Sequence, residues 1–175
     1  MTTTWNIDPT HSTVGFSIRH MVFSKVRGRF LKYTGAIQLD DELAKSWVEV
    51  TIDAASIDTR DEKRDAHLRS PDFFDVERYP TLRFRSAGFQ WTGKNAFDLP
   101  GELTIHGVTR PVVLRTTYDG LIPDPWGNTR AAFTAETEID REDFGLTWNV
   151  ALETGGVMVS KQVKIEIELE VVRGA

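Results

Sequence analysis

The stretch VKIEIELEV, residues 163–171, alternates apolar and charged residues at every step. A β-strand points successive side chains to opposite faces, so this stretch would have one apolar face and one charged face. A helix would distribute the same residues around its axis. The alternation therefore predicts a β-strand with one buried face.

Similar one-sided apolar rows recur along the chain, and turn signals separate them. They are Val14-Phe16-Ile18, Val48-Val50-Ile52, Phe97-Leu99, Leu103-Ile105, and Phe133 with Ile139. At least eight strands with short connections predict an all-β sandwich or barrel. The exception is the segment of about residues 60–75. There Thr59-Arg60-Asp61-Glu62 fits a capping box, and a polar helix is expected to follow on a surface or over an opening.

The composition limits the protein class. The chain has 175 residues and no interdomain linker, which predicts one domain over residues 1–175. A net charge of −5 disfavours nucleic-acid binding, and the lack of cysteine excludes disulfides and thiol catalysis. We find neither a signal-peptide pattern nor a transmembrane stretch, so the sequence predicts a cytoplasmic protein.

The charge is unevenly distributed. Residues 1–35 carry five Arg and Lys residues, Arg19, Lys25, Arg27, Arg29 and Lys32, against Asp8 as the one acidic residue. This basic segment is either a site for an anionic headgroup or the solvated outer face of a strand.

Small residues interrupt the rows that we expect to face inward. These rows are Val26-Gly28-Phe30, Phe84-Ser86-Gly88, Leu99-Gly101-Leu103 and Ala131-Phe133-Ala135. Small residues inside a barrel can leave a void that takes a ligand. They can equally alternate with large residues to fill a tapering core. The periodicity leaves both interpretations open.

Few residues suggest catalysis. The histidines His11, His20, His67 and His106 show no metal-binding spacing, and no phosphate-binding or nucleophile motif is present. His67 falls on the predicted polar helix, where we expect it to be solvated. The sequence therefore predicts no catalytic residue and no bound metal.

The ordered set of short motifs in this chain resembles the YceI-like family of polyisoprenoid-binding, lipocalin-like proteins. The set covers nearly the whole chain: Trp5-x-Ile7-Asp8-x-x-His11-Ser12-x-Val14-x-Phe16, His20, Val26-x-Gly28-x-Phe30, Ala54-x-Ser56-Ile57-Asp58-Thr59, Arg64-Asp65-x-His67-Leu68, Ser70-x-Asp72-Phe73-Phe74-Asp75, Gly101-x-Leu103-Thr104-Ile105-His106-Gly107-Val108-Thr109-x-Pro111-Val112 and Arg141-x-Asp143-Phe144-Gly145-Leu146. The resemblance implies an eight-stranded antiparallel lipocalin-like β-barrel with one helix beside one end. It further implies a long pore that holds an isoprenoid or another long-chain amphiphile, and a homodimer. Many members are exported, whereas this sequence shows no signal peptide.

Together, the alternation and the resemblance predict a non-enzymatic protein that binds, transports or stores a long-chain lipid, with no other cofactor. The predicted cavity wall comprises Phe16, Ile18, Val26, Phe30, Phe84, Phe97, Leu99, Leu103, Phe133 and Ile165. Charge and position suggest His20, Arg64 and Arg141 as contacts of the lipid head. The alternatives are an enzyme that acts on a lipid through His11, His20 or His106, and a structural or signalling dimer with a packed barrel.

Overall fold

The computed structural model describes residues 1–174, apart from the side chain of Ala87, and folds into a strand-rich barrel. Its strands are β1 (Thr3–Ile7), β2 (Thr13–His20), β3 (Ser24–Phe30), β4 (Tyr33–Leu39), β5 (Trp47–Asp53), β6 (Ile57–Asp58), β7 (Thr81–Ala87), β8 (Gln90–Trp91), β9 (Ala96–Ile105), β10 (Val108–Pro123), β11 (Thr129–Asp140) and β12 (Val159–Arg173). The helix α1 spans Glu62–Arg69.

The sheet closes on itself because β1 pairs with both β4 and β12. The ring runs β1-β4-β5-β7-β9-β10-β11-β12 and returns to β1, with every pairing antiparallel. The remaining strands extend members of this ring. Each of them lies end to end with a strand of the ring and pairs with a neighbour. β2 extends β1 and pairs with β12, and β3 extends β4 and pairs with β2. β6 extends β5 and pairs with β3, and β8 extends β7 and pairs with β9. The result is eight composite strands, which confirms the predicted eight-stranded antiparallel barrel.

The last strand has the two faces that its sequence predicts. Val163, Ile165 and Ile167 face the barrel interior. The lysine and glutamates between them lie on the outside, with Lys164 and Glu166 paired at 2.9 Å. β12 pairs with β11 on one side and with β2 on the other, so its apolar face is central to the barrel wall.

An ion cluster holds the barrel where β1 meets β12. Arg130 on β11 donates to Asp8 and Glu170, both at 2.7 Å, and to Asp124 at 2.8 Å. Hydrogen bonds from Arg130 and His11 lower the pKa of Asp8. Burial raises the pKa of Asp124, but hydrogen bonds from Arg130 and Asn128 outweigh burial and hold this pKa at about 2. The cluster joins three parts of the chain that are far apart in sequence.

The helical insertion is shorter than expected, and its start differs. α1 ends at Arg69, and residues 70–80 form turns. Asp61 caps the helix by accepting the Arg64 backbone N–H at 3.1 Å. The predicted capping box is therefore wrong, because Thr59 lies too early and instead donates its hydroxyl to Asp65 at 2.5 Å. Across residues 1–174, no helix combines the length and the apolar character that crossing a membrane requires.

Candidate ligand-binding cavity

The barrel encloses an apolar cavity of about 560 Å³ that all eight composite strands line. This volume falls within the usual range of about 300–1,000 Å³ for small-molecule sites. From Ala131 on β11 to Arg141 directly after it, every second residue lies against the cavity. Ten residues of a strand tilted by about 40° advance roughly 25 Å along the barrel axis, so the cavity is elongated.

The residues predicted for the wall all face this space. Phe16, Ile18, Val26, Phe30, Phe84, Phe97, Leu99, Leu103, Phe133 and Ile165 line the cavity. They come from six of the twelve strand segments, and strand alternation alone places them inward. Their contact with a ligand stays a prediction.

Two of the small residues leave no space in the cavity. The Phe16 ring lies over Gly28, where an added Cβ would overlap the ring. The Phe84 ring covers Gly101 in the same way, at 2.6 Å from an added Cβ. Neither glycine lines the cavity, so of the two interpretations left open by the sequence, the filled core holds at these two positions. A cross-strand aromatic ring fills the space that each glycine leaves. Ala131 and Ala135, in contrast, do line the cavity.

Arg141 is the buried charge at the α1 end of the cavity. Its residue is 3% exposed, and it lines the cavity directly after β11. Its guanidinium donates to the carbonyl oxygens of Ser160 at 2.9 Å, Leu146 at 2.6 Å and Val159 at 3.4 Å. No carboxylate of residues 1–174 forms an ion pair with it.

The surroundings of Arg141 favour a bound anion. Burial lowers the pKa of its guanidinium, while the neighbouring carboxylates Glu142 and Asp140 oppose this effect. A guanidinium has five N–H donors, and the three bonds to carbonyls leave two of them for another acceptor. A buried charge without an ionic partner is costly, and a carboxylate or phosphate of a ligand would compensate for it.

The other two predicted head contacts lie at the same end. His20 lines the cavity and pairs with Val159, whose carbonyl oxygen accepts from Arg141. Arg64 lies on α1 with an exposed residue surface and also reaches the cavity lining. Its guanidinium donates to the Thr59 hydroxyl at 2.8 Å and to the Thr59 carbonyl oxygen at 2.7 Å. The structure thus places His20 and Arg141 beside Val159 at the start of β12, and Arg64 on α1 at the same end of the barrel.

Sequence reasoning missed an aromatic cluster beneath α1. His67, which we expected to be solvated, lines the cavity and packs against the rings of Phe73 and Trp148 at 5.1 and 4.7 Å. Its Nε2 lies 2.8 Å from the Asp72 carboxylate. Leu68 lies beside it in sequence and also lines the cavity. In the sequence, the apolar Leu68 on a polar helix was the one signal that this face of α1 lies against the cavity.

Trp5 is a second missed residue. It is buried on the cavity wall, and its indole Nε1 has no hydrogen-bond partner within residues 1–174. A buried N–H without a partner carries a desolvation cost of about 1–3 kcal/mol. No sequence signal indicated that Trp5 lines the cavity or that its donor would lack an acceptor.

The described residues also group Asp8, His11 and Glu170 closely enough to offer metal ligands. The Arg130 guanidinium already donates to both carboxylates at 2.7 Å. A fixed cation therefore takes the position that a metal ion would need, and the cluster is better described as a structural ion network.

These features, a closed eight-stranded barrel with an apolar lumen and one helix over its end, agree with a family comparison. The YceI-like domain model matches residues 5–171. This chain belongs to the YceI-like family. Its relatives include a UPF0312 protein of Azotobacter vinelandii, which is 36% identical over 164 residues, or 93% of this chain and 82% of the relative. A UPF0312 protein of Vibrio cholerae is 36% identical over 137 residues, or 78% of this chain and 72% of the relative.

Solved structures show the same YceI-like architecture. Burkholderia cenocepacia BcnA superposes with a TM-score of 0.79 at 25% identity, over 94% of this chain and 98% of that one. The Campylobacter jejuni YceI protein superposes with a TM-score of 0.75 at 28% identity, over 90% of each chain. A polyisoprenoid-binding domain of Saccharophagus degradans shares the fold, with a TM-score of 0.73 at 17% identity over 95% of this chain and 97% of that one.

Proposed function

We propose that this chain binds a long-chain amphiphile, an isoprenoid or a related lipid, and carries or stores it without chemical change. The tail would occupy the barrel, and a polar or anionic head would lie at the α1 end near Arg141. The observation that carries the proposal is the elongated apolar cavity with one buried guanidinium at its end. The fold shared with a polyisoprenoid-binding domain supports the same ligand class.

Tail burial would supply most of the affinity. Each CH₂ group that leaves water contributes about 0.8 kcal/mol, and a tail needs only an apolar tube. The wall residues predicted from the sequence, Phe16 and Ile165 among them, would provide this surface. Such a wall distinguishes ligands by the length and width of the tail rather than by chemical groups, so the polar end would set the selectivity.

Arg141 would set that selectivity through its two remaining N–H donors. His20 lies beside it, whereas Arg64 is an exposed residue whose guanidinium is oriented by its bonds to Thr59. We therefore rank Arg141 first, His20 second and Arg64 third as contacts of the head.

The alternatives receive less support. His11 and His106 lie outside the cavity lining, which leaves His20 as the one histidine of the three placed for an enzymatic role. A cavity of about 560 Å³ does not fit a barrel packed solid for structural or signalling use alone.

Native mass spectrometry of the purified protein, followed by solvent extraction, tests the proposal. We expect a co-purifying long-chain lipid whose mass is unchanged after incubation. A protein that never retains a lipid, and that takes up no added geranylgeranyl phosphate or geranylgeraniol, would refute it. Conversion of the added lipid would favour the enzyme.

Two arginine variants test the head contact. Arg141→Met should abolish a preference for geranylgeranyl phosphate over geranylgeraniol, while Arg141→Lys should retain part of it. Arg110→Met is the matched control, because Arg110 also donates to a backbone carbonyl, that of Asp143 at 3.1 Å, but does not line the cavity. An unchanged preference in a folded Arg141→Met protein would exclude Arg141 as the head contact.

The cytoplasmic location and the homodimer stay predictions. Light scattering coupled to size-exclusion chromatography tests the dimer, and cell fractionation tests the location.

A further inference from the structure

The turn between β2 and β3 exposes three consecutive apolar residues, Met21, Val22 and Phe23. Phe23 is 90% exposed and Val22 is 66% exposed. The segment before β12 lies against this turn, since the Met21 N–H donates to the Met158 carbonyl oxygen at 2.8 Å. Val150 and Val157 of that segment are exposed as well. An exposed apolar patch that continues across two segments indicates an interaction surface.

Basic residues surround this patch. Arg19 and Lys25 lie directly opposite each other on β2 and β3, and Arg27 follows on the same outer face. Within residues 1–174 none of the three forms an ion pair, whereas the next cation, Arg29, pairs with Asp58 at 3.5 Å. Like charges opposite each other across two strands are destabilising. An anionic partner would remove that repulsion.

The backbone of the turn is also strained. Met21 and Val22 have φ angles of 52° and 69°, in the left-handed region. A β-branched residue rarely adopts this conformation. Strain, apolar exposure and cations without an ion pair thus meet at one turn, and such strained segments are typical of functional sites.

The turn lies at the α1 end of the barrel, beside the cavity. His20 directly precedes Met21, and Met158 accepts its N–H; both His20 and Met158 line the cavity. A surface that contacts the turn would therefore lie next to the end where Arg141 is found.

The opposite end of the barrel provides a comparison within the same molecule. It too exposes apolar residues, with Ile122 at 63% and Trp126 at 79%. The acidic residues on the same strand and loop are Asp119 and Asp124, and Asp124 pairs with Arg130 at 2.8 Å. Only the turn between β2 and β3 combines apolar exposure with unpaired cations among these described surfaces.

We propose that the turn of residues 21–23, with Arg19, Lys25 and Arg27 around it, docks the barrel on an anionic lipid bilayer. The three apolar side chains enter the interface, and the cations contact lipid headgroups. A second copy of the chain fits the surface less well, because a two-fold interface would bring the same cations face to face. Docking goes beyond the proposed lipid binding, since it can be measured with or without cargo in the barrel.

Vesicle flotation tests the docking surface, with vesicles of equal parts phosphatidylglycerol and phosphatidylcholine compared against phosphatidylcholine alone. We expect binding to the anionic vesicles that falls as salt is added. Phe23→Ser should lower the partition coefficient about tenfold. Replacing Lys25 and Arg27 together by Gln should lower it roughly fivefold for each charge. Ile122→Ser and Trp126→Ser are the matched controls and should bind as the unchanged protein does.

Three results would overturn the proposal. The first is no binding to anionic vesicles, and the second is an equal loss in the Ile122→Ser and Trp126→Ser controls. The third is a Phe23→Ser protein that binds vesicles normally but loses a dimer in light scattering, which would assign the surface to a second copy. Native mass spectrometry of the same variants shows whether cargo is retained, so failure of docking is distinguished from failure of lipid binding.

Discussion

Val112 offers a direct test of the empty cavity. This residue lies on β10, is half-buried and lines the lumen, and it pairs with Gly101 on β9. Val112→Phe adds four carbon atoms that would project into the space proposed for the lipid tail. Both residues favour strands, so the backbone preference hardly changes.

The structure predicts the sign of the change in stability and the size of the loss in lipid binding. If the space is empty, the added ring contacts the wall and raises the free energy of unfolding of the delipidated protein. It also displaces about four carbon atoms of the tail, at about 0.8 kcal/mol each. The loss in binding is then about 3 kcal/mol, or roughly a hundredfold in Kd. In a packed core the same substitution would instead lower stability by about 1–3 kcal/mol.

Urea unfolding of the delipidated protein and titration with a fluorescent long-chain amphiphile measure the two quantities. Val113→Phe is the control, because the adjacent Val113 is 45% exposed and points outward. It should change neither quantity appreciably. Reduced stability of Val112→Phe together with unchanged amphiphile binding would refute the lumen as the binding site.

Three further predictions concern the barrel itself. Arg130→Met should flatten the acid dependence of stability measured by urea unfolding across pH. The folded pKa of Asp124 is about 2 against 3.8 unfolded, so its contribution is present above about pH 4 and is lost as the pH falls toward 2; identical pH profiles would contradict this. Gly101→Ala should destabilise by about 1–3 kcal/mol in thermal or urea unfolding, because its Cβ would lie 2.7 Å from the Arg85 carbonyl oxygen. Trp5→Phe should change the stability of the delipidated protein by less than about 1 kcal/mol, because removal of the unpaired indole N–H offsets the packing that the smaller ring loses; a loss well above this in unfolding experiments would contradict the unpaired N–H.

Alternation was sufficient to predict the inward wall. A strand has a side-chain period of two, so rows such as Val163 and Ile165 show their buried face without knowledge of the partner strand. All ten predicted wall residues accordingly line the lumen. Alternation did not predict the number of strands in the barrel or its closure. Closure depends on the pairing of β1 with β12, which joins opposite ends of the chain, and a local sequence pattern does not encode such contacts. The family motifs supplied that information.

The errors and the question that the sequence left open share one cause. At Gly28 the sequence did not decide between empty space and a filled core, because it does not show which residue lies opposite, and the cross-strand partner proved to be Phe16. Thr59 looked like a helix cap because its spacing to Glu62 fits the motif, but its hydroxyl bonds the buried Asp65 instead. His67 looked solvated because α1 is polar, although Trp148 packs against it from a distant segment. Each error concerns a contact that tertiary structure alone determines.

In a barrel that closes around a cavity, a ligand rather than the protein's own side chains fills the centre of the core. Any ligand that fills this cavity binds the folded chain and not the unfolded one, so it raises the free energy of unfolding in proportion to the logarithm of its concentration. Emptied copies would open more often than loaded copies and would reach proteases first. The lifetime of the protein in the cell would then follow the supply of the molecule that it holds.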